Sequence, residues 1–326
     1  MKKILKRTFT FLCIVMLLSI ILALFSLTNP TGTYNVKQNV TVRAGVLHTH
    51  VSELIELGYR TGRYPDVLAS TAAHIQAKWE SIGYKVEMQP FSVEGHEYYN
   101  VMTTIGPEDA PRLVIGAHYD VVGDFQGADD NSSGVAALFE IARMLKTHSG
   151  LSHRIDLVAY GLHEPPYFGT ENMGSHRHVN SLMENNANVK AMISLDGLGY
   201  FSDEPNSQKF PVGFLKYFYP TKGNFITVVG DYSSFGLTRA VKARLKGSVS
   251  LDVRSLNGPA AIPGVDFSDH RNYWRHEIPA VLITDTAFLR NPGYHRAGDT
   301  IDKLDFEKMA SVVEGVFAVA TTLNIK

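Results

Sequence analysis

The chain has 326 residues, 44% apolar and 19% charged, enough for one large globular domain or one domain with an appendage, which excludes disorder and coiled coil as whole-chain readings. Its 31 basic and 32 acidic residues leave a formal charge of −1, so no basic excess marks a nucleic-acid partner. The single cysteine, Cys13, removes disulfides and thiolate zinc sites together, and any metal must be held by His, Asp and Glu.

In chain order, the first element is an uncharged run of nineteen residues from Phe9 to Leu27. As a helix it measures about 28 Å against a hydrocarbon core of about 30 Å. Lys2, Lys3, Lys6 and Arg7 precede it and no charge follows closely. The positive-inside bias therefore places residues 1–8 in the cytoplasm, a transmembrane anchor at 9–27 and the remainder outside, giving a single-pass protein of the cell membrane. A cleaved secretory signal is the alternative, although Ala23-Leu24-Phe25-Ser26-Leu27 is a poor cleavage site. The bulky neighbours of Cys13 argue against a lipid-modified cysteine. Without the four leading basic residues, the rest carries 27 basic and 32 acidic groups, a net of −5.

A polar connector at 28–40 contains Asn29-Pro30-Thr31-Gly32, and beyond it no linker or internal repeat divides residues 41–326, which read as one domain. Val67, Leu68, Ala72, Ile75, Trp79 and Ile82 have helical spacing over 67–82, and Gly83 stops the helix. Strand-like runs follow at 85–93, 112–117, 154–160, 190–195, 225–229 and 280–284, with helical segments at 134–146, 233–245 and 305–323. Several runs are continuously apolar, as expected of strands covered on both faces. The alternation predicts a three-layer α/β/α sandwich around a mixed, mostly parallel sheet. In such sheets ligands collect at the carboxyl edge.

Four strand ends there carry potential metal ligands. The run at 112–117 leads into His118-Tyr119-Asp120, where a carboxylate two residues on can fix the second ring nitrogen of a ligating histidine. Gly127-Ala128-Asp129-Asp130-Asn131-Ser132-Ser133-Gly134 stands directly before a helix. One such residue suffices for a cap, and two adjacent acids exceed that need. The runs at 154–160 and 190–195 lead to His163-Glu164 and to Asp196, and Tyr294-His295 follows the last core strand. Singly each is commoner as structure than as chemistry, but an ordered set of His, Asp, Glu, Asp and His points to a metal centre.

These residues resemble the zinc aminopeptidases of the MH clan, typified by the Streptomyces and Vibrio enzymes and related to glutaminyl cyclases. The similarity covers most of the chain after residue 45 and is most specific in GAHYD, GADDNSSG, SLDGLGY and YHRAGDTIDKLD. It implies two zinc ions, one held by His118 and Asp196, the other by Glu164 and His295, with Asp129 bridging them and Asp120 orienting His118. It also marks Asp129–Asp130 as a candidate cis peptide and Tyr294 as a hydrogen-bond donor to a developing oxyanion. The related dipeptidase and carboxypeptidase group places its bridging Asp much later than the gap of eleven between His118 and Asp129.

One position departs from the pattern. The family has Glu-Glu after the second of these strands, the first acting as general base, and this chain has His163-Glu164. Such a base contributes about 10²–10⁴-fold. Imidazole can shuttle protons near neutral pH but differs in charge and reach. Glu171 is an alternative base if Pro165-Pro166 folds it back. Ser268-Asp269-His270 resembles a family motif near the substrate end, or else is a helix cap with a solvated histidine. The expected activity is that of a metallo-aminopeptidase acting on peptides with a free N-terminus. The alternatives are an impaired peptidase-like binding protein, motivated by His163, and a glutaminyl cyclase, against which all five ligand positions speak.

Overall fold

The computed structural model describes residues 2–36 and 40–325; positions 37–39 of the expected connector, with Met1 and Lys326, lie outside the described residues. The elements in chain order are α1 (Lys2–Thr28), α2 (Ala44–Glu56), α3 (Pro65–Ser81), β1 (Val86–Val93), β2 (His96–Ile105), β3 (Arg112–His118), α4 (Gly134–Lys146), β4 (Arg154–Tyr160), α5 (Gly174–Glu184), β5 (Val189–Leu195), β6 (Phe225–Gly230), α6 (Phe235–Lys246), β7 (Asp252–Asn257), α7 (His270–Trp274), β8 (Ala280–Thr284) and α8 (Phe306–Thr322). Short helical turns, among them Gly213–Tyr217, complete the fold.

The strands form one eight-stranded sheet in the order β1-β2-β4-β3-β5-β8-β6-β7. Its centre, β4-β3-β5-β8, is parallel, whereas β1, β2 and the β6–β8 pair are antiparallel. The expected three-layer α/β/α arrangement is therefore present, with a more mixed sheet than the apolar runs alone suggest. Alternate residues serve the two faces. Leu113 and Ile115 of β3 and Leu157 of β4 join the large core with α3, α4 and α8, while Val114 and Val158 meet α5 and α7. Local signals match the elements: Pro65 opens α3 at a first-turn position, and Asp305 caps α8 by accepting the Lys308 N–H at 3.0 Å.

The approach to the carboxyl edge is tight. Gly134 starts α4 where a Cβ would stand 2.6 Å from the Leu195 carbonyl and 2.4 Å from Asn131 Oδ1, so only glycine lets the helix begin against the end of β5. Gly127, at φ 59°, turns the preceding loop in the left-handed region, where an added Cβ would also strike Val121.

Arg60 holds this loop from beneath. Buried, it donates from Nε to the Tyr119 carbonyl at 3.0 Å, from Nη1 to the Leu54 carbonyl at 2.8 Å, and from Nη2 to Ser132 Oγ at 2.6 Å and the Gln126 carbonyl at 3.2 Å. Burial pushes its pKa down to about 10, with Asp120 and Asp299 opposing the shift, so it stays charged at neutral pH.

The first helix starts at Lys2, so the basic residues belong to it, and one stretch of it, Lys6–Thr28, is long and apolar enough to cross a membrane. Most of its side chains are exposed, and its last turn meets the domain. The Thr28 carbonyl accepts from Lys242 Nζ and from Ser255 Oγ, each at 2.9 Å, and buried Asn29 donates to the Phe235 carbonyl at 2.9 Å.

Arg60→Met should lower the unfolding free energy by about 3 kcal/mol, because it strands several buried acceptors at once. Urea unfolding of the full chain in detergent checks this, and an unchanged midpoint would show that the loop holds itself.

Candidate metal centre and active site

Four strand ends and the loop before α4 bring the ionisable side chains together. His118 closes β3 and is fully buried. Its Nε2 lies 3.3 Å from Asp130 Oδ1 and 3.6 Å from Asp196 Oδ2, just beyond β5. From the loop after β8, His295 places Nε2 3.0 Å from Asp130 Oδ2 and 3.3 Å from Glu164 Oε2, which follows β4. Asp130 thus divides its two oxygens between two histidines, each paired with a second carboxylate. His118, Asp130 and Glu164 offer donor atoms all within 4.8 Å of one another, and so do His118, His163 and Asp196. His118 Nε2, His295 Nε2, Asp130 Oδ2 and Glu164 Oε1 are buried without a well-aligned hydrogen bond. Opposed lone pairs and nitrogens of this kind fit a divalent ion with nitrogen and oxygen ligands, as zinc takes.

The acid at the meeting point is Asp130, which corrects the sequence expectation of Asp129. Asp129 turns the other way: its Oδ1 accepts the Gly199 N–H at 2.9 Å and its Oδ2 accepts from Asn291 Nδ2 at 3.2 Å. Both main-chain N–H groups, of Asp129 and Asp130, donate to the carboxylate of Asp299 at 3.0 and 3.1 Å, fixing which side chain points inward. The cis peptide is likewise one residue later than expected, at Asp130–Asn131. The spacing from His118 to the shared acid is then twelve residues.

Asp120 acts on more than His118. Its Oδ1 and Oδ2 accept the N–H groups of His163 and Glu164, both at 2.9 Å, while His118 Nδ1 meets the Asp120 main-chain carbonyl at 3.0 Å and its side chain at 3.6 Å. One carboxylate therefore ties the β3 end to the β4 end. His163 stacks on His118 with ring centroids 3.8 Å apart and 7° between planes, and its Nδ1 lies 3.1 Å from Asp269 Oδ1. Sequence reasoning gave Asp269 no role of its own; the signal was its place in the quoted Ser-Asp-His motif, whose partner lies 106 residues away. His270 of that motif is buried, with Nε2 at 2.8 Å from the Val265 carbonyl, so it is not solvated. Glu171 is exposed and does not fold back to the site. Tyr294 stacks on His295 at 3.9 Å.

The electrostatics follow from the surplus of buried acid. Burial lowers His118, but Asp196, with Asp120 and Asp130, outweighs it and carries the imidazole well above its ordinary value. Burial likewise lowers His295, and Asp130 and Glu164 raise it to about 10. Burial raises Asp130, yet the two histidines hold it below the usual carboxylate range. Burial and then the charge of Asp130 push Glu164 up. In the layer behind, burial and the charge of Asp285 raise Asp129, and burial and Asp129 raise Asp299 to about 8. His163 is lowered by burial and His118, and Asp269 reverses both to a net rise. Tyr294 is raised, chiefly by burial, so its hydroxyl stays a donor. Protons held by this many groups are what a divalent cation displaces when it binds.

An apolar pocket opens beside the cluster, walled by Phe210, Leu215, Phe225, Leu256 and Leu282 and bordered by Asp196 and Tyr294.

The profile of peptidase family M28 matches residues 100–320. The uncharacterized protein YfbL of Escherichia coli (strain K12) is 44% identical over 262 residues, covering 78% of this chain and 80% of YfbL. Leucine aminopeptidase 1 of Coccidioides posadasii (strain C735) is 24% identical over 244 residues, 69% of this chain but 55% of that relative, so the chain spans about half the fungal protein. In fold, the chain resembles the LapA aminopeptidase of Legionella pneumophila (TM-score 0.70, 22% identity, 89% of this chain and 79% of that one). It also resembles a glutaminyl cyclase of Bacteroides thetaiotaomicron (TM-score 0.67, 18% identity, 87% and 99%). With the matched residues containing every member of the cluster, the chain belongs to peptidase family M28.

Proposed function

We propose that this chain is a zinc-dependent aminopeptidase that removes N-terminal residues from peptides, anchored in a membrane through residues 9–27 with its domain on the extracytoplasmic side. The observation that carries the reading is the convergence of unpartnered, buried His118, Asp130, Glu164 and His295 atoms beside an apolar cavity. One zinc would be held by His118 and Asp196, a second by Glu164 and His295, with Asp130 touching both. Bound zinc supplies Lewis acidity for a scissile carbonyl, a lowered pKa for the attacking water and a partner for the free amine of the peptide. The basic start of the chain supports the proposed topology.

The chain's own residues supply the remainder. The apolar pocket suits a large apolar first side chain. The Tyr294 hydroxyl, held protonated, is a donor for a carbonyl oxygen that gains charge. His163 replaces the family's glutamate as proton carrier. Its contact with Asp269 selects the tautomer in which Nδ1–H donates to the carboxylate, leaving Nε2 to take a proton from water and return it to the departing amine. Asp269 is a positioning residue in this scheme. The second reading, a peptide-binding relative without turnover, has one motive, the imidazole at this position.

Two sets of variants test the proposal. Elemental analysis after zinc saturation should find Asp130→Asn depleted of both ions, whereas Asp129→Asn keeps at least half its metal; the reverse pattern would reinstate Asp129 as the shared acid. With a leucine anilide and zinc, His163→Ala should lose at least about a hundredfold in kcat. Asp269→Asn should lose about tenfold, with KM shifted less than threefold and circular dichroism unchanged. Wild type that binds zinc but hydrolyses no amino-acid anilide would favour the binding protein, and a His163→Ala enzyme of wild-type rate would remove His163 from the chemistry.

A further inference from the structure

The end of α1 is not joined to the domain by a slack tether. Leu27 is buried, Lys242 Nζ donates to the carbonyls of Thr28 and Asn29 at 2.9 and 3.2 Å, and Asn29 Nδ2 also reaches Asn257 Oδ1 at 3.1 Å. The Phe25 ring meets Phe235 at 6.1 Å. A span that ends at Thr28 therefore sets the α6–β7 edge of the domain directly at the membrane boundary.

Beside that edge lies a segment with two apolar faces. Inward, Phe210, Leu215 and Tyr219 wall the cavity that borders Asp196. Outward, Phe214, Tyr217 and Phe218 are 49%, 75% and 41% exposed. Phe218 and Tyr219 line one cleft together with Thr28, Pro30 and Lys242, so the outward face reaches the end of α1 through Phe218. Between Ser207 and Asn224 the sequence has Lys209, Lys216 and Lys222 and no acid. Aromatic rings flanked by lysine suit the headgroup zone of a bilayer, where the ring is half-buried and the ammonium meets anionic lipid. Phe214 packs edge-on against Phe218 at 6.4 Å and Lys216 Nζ lies 5.1 Å from the Tyr217 ring, yet all three rings keep a large share of their surface open to the outside.

We propose that the turn Gly213–Tyr217, with Phe218, is a second membrane contact, seated in the lipid headgroup zone beside the anchor. The proposal rests on the anchored reading above. It makes one wall of the substrate cavity a membrane-facing element, and it fixes the orientation of the domain through two contacts in place of one.

The test uses the full chain, with Cys13→Ser as background, in nanodiscs of phosphatidylcholine and phosphatidylglycerol. An environment-sensitive fluorophore is attached at a single cysteine replacing Tyr217, Met16 in the anchor, or exposed Glu108 at the opposite end of the sheet. Lipid spin labels placed near the headgroup should quench the Tyr217 label at least twofold and leave the Glu108 label unchanged, while deep spin labels quench the Met16 label. A Tyr217 label that behaves like the Glu108 label while the Met16 label is quenched overturns this contact and leaves the anchor intact. An unquenched Met16 label overturns the anchor, and this proposal with it. Protection of the Tyr217 label from aqueous iodide without lipid quenching would mean that a second copy of the chain covers the patch, which also overturns it.

Discussion

Carboxylates taken out of water need an opposing charge, and this chain buries a cluster of them at one edge of its sheet. Asp130 is the centre of that constraint. Its two oxygens face His118 and His295, one from the end of β3 and one from the loop after β8, so a single side chain couples distant parts of the sequence. The histidines alone do not settle the charge, because Asp196, Glu164, Asp120 and Asp269 crowd the same space. The response is imidazoles carried upward and carboxyl groups behind the site pushed up with them. A pair of divalent ions satisfies the same constraint with less protonation, and this links the electrostatics to the function proposed.

The fold serves that centre by holding its loops still. Arg60 gathers the carbonyls of Tyr119 and Gln126 and the hydroxyl of Ser132, and Asp299 takes the N–H groups of both acids in the Asp129-Asp130 pair. Asp120 does the same for His163 and Glu164. Leu162 and His295, at φ 54° and 55°, hold left-handed backbone that a side chain disfavours, and both stand at the site. Strain of about 1 kcal/mol each is supportable where so many hydrogen bonds determine the backbone.

Much of this was legible in the sequence, and the misses have physical causes. The strand at 280–284 and the helix at 134–146 read correctly because a continuous apolar run and a strong helical period leave little choice, and the strand at 154–160 because Leu157-Val158-Ala159-Tyr160 closes it. Strand β2 went unread because Asn100, Thr103 and Thr104 interrupt its apolar residues. Helix α5 has Val179, Leu182 and Met183 as its large apolar side chains among polar neighbours. The structure brings together His118, Glu164, Asp196 and His295, each of which ends an apolar run or stands in a motif of the sequence. The choice between Asp129 and Asp130 could not be read there, because adjacent side chains differ only in the direction given by the Asp299 contacts. The Ser-Asp-His motif marks Asp269, but its pairing with His163 across 106 residues leaves no local trace.

The central claim is that the buried acid cluster is a two-zinc hydrolytic centre. Its most direct test is reconstitution: chelator-treated full chain in detergent, titrated with zinc while leucine anilide hydrolysis and bound metal are recorded together. The account predicts that hydrolysis rises with zinc and reaches its plateau at two bound equivalents per chain. Hydrolysis that survives complete removal of metal, or a chain that fills with two zinc ions and remains inactive toward every anilide tried, would contradict it.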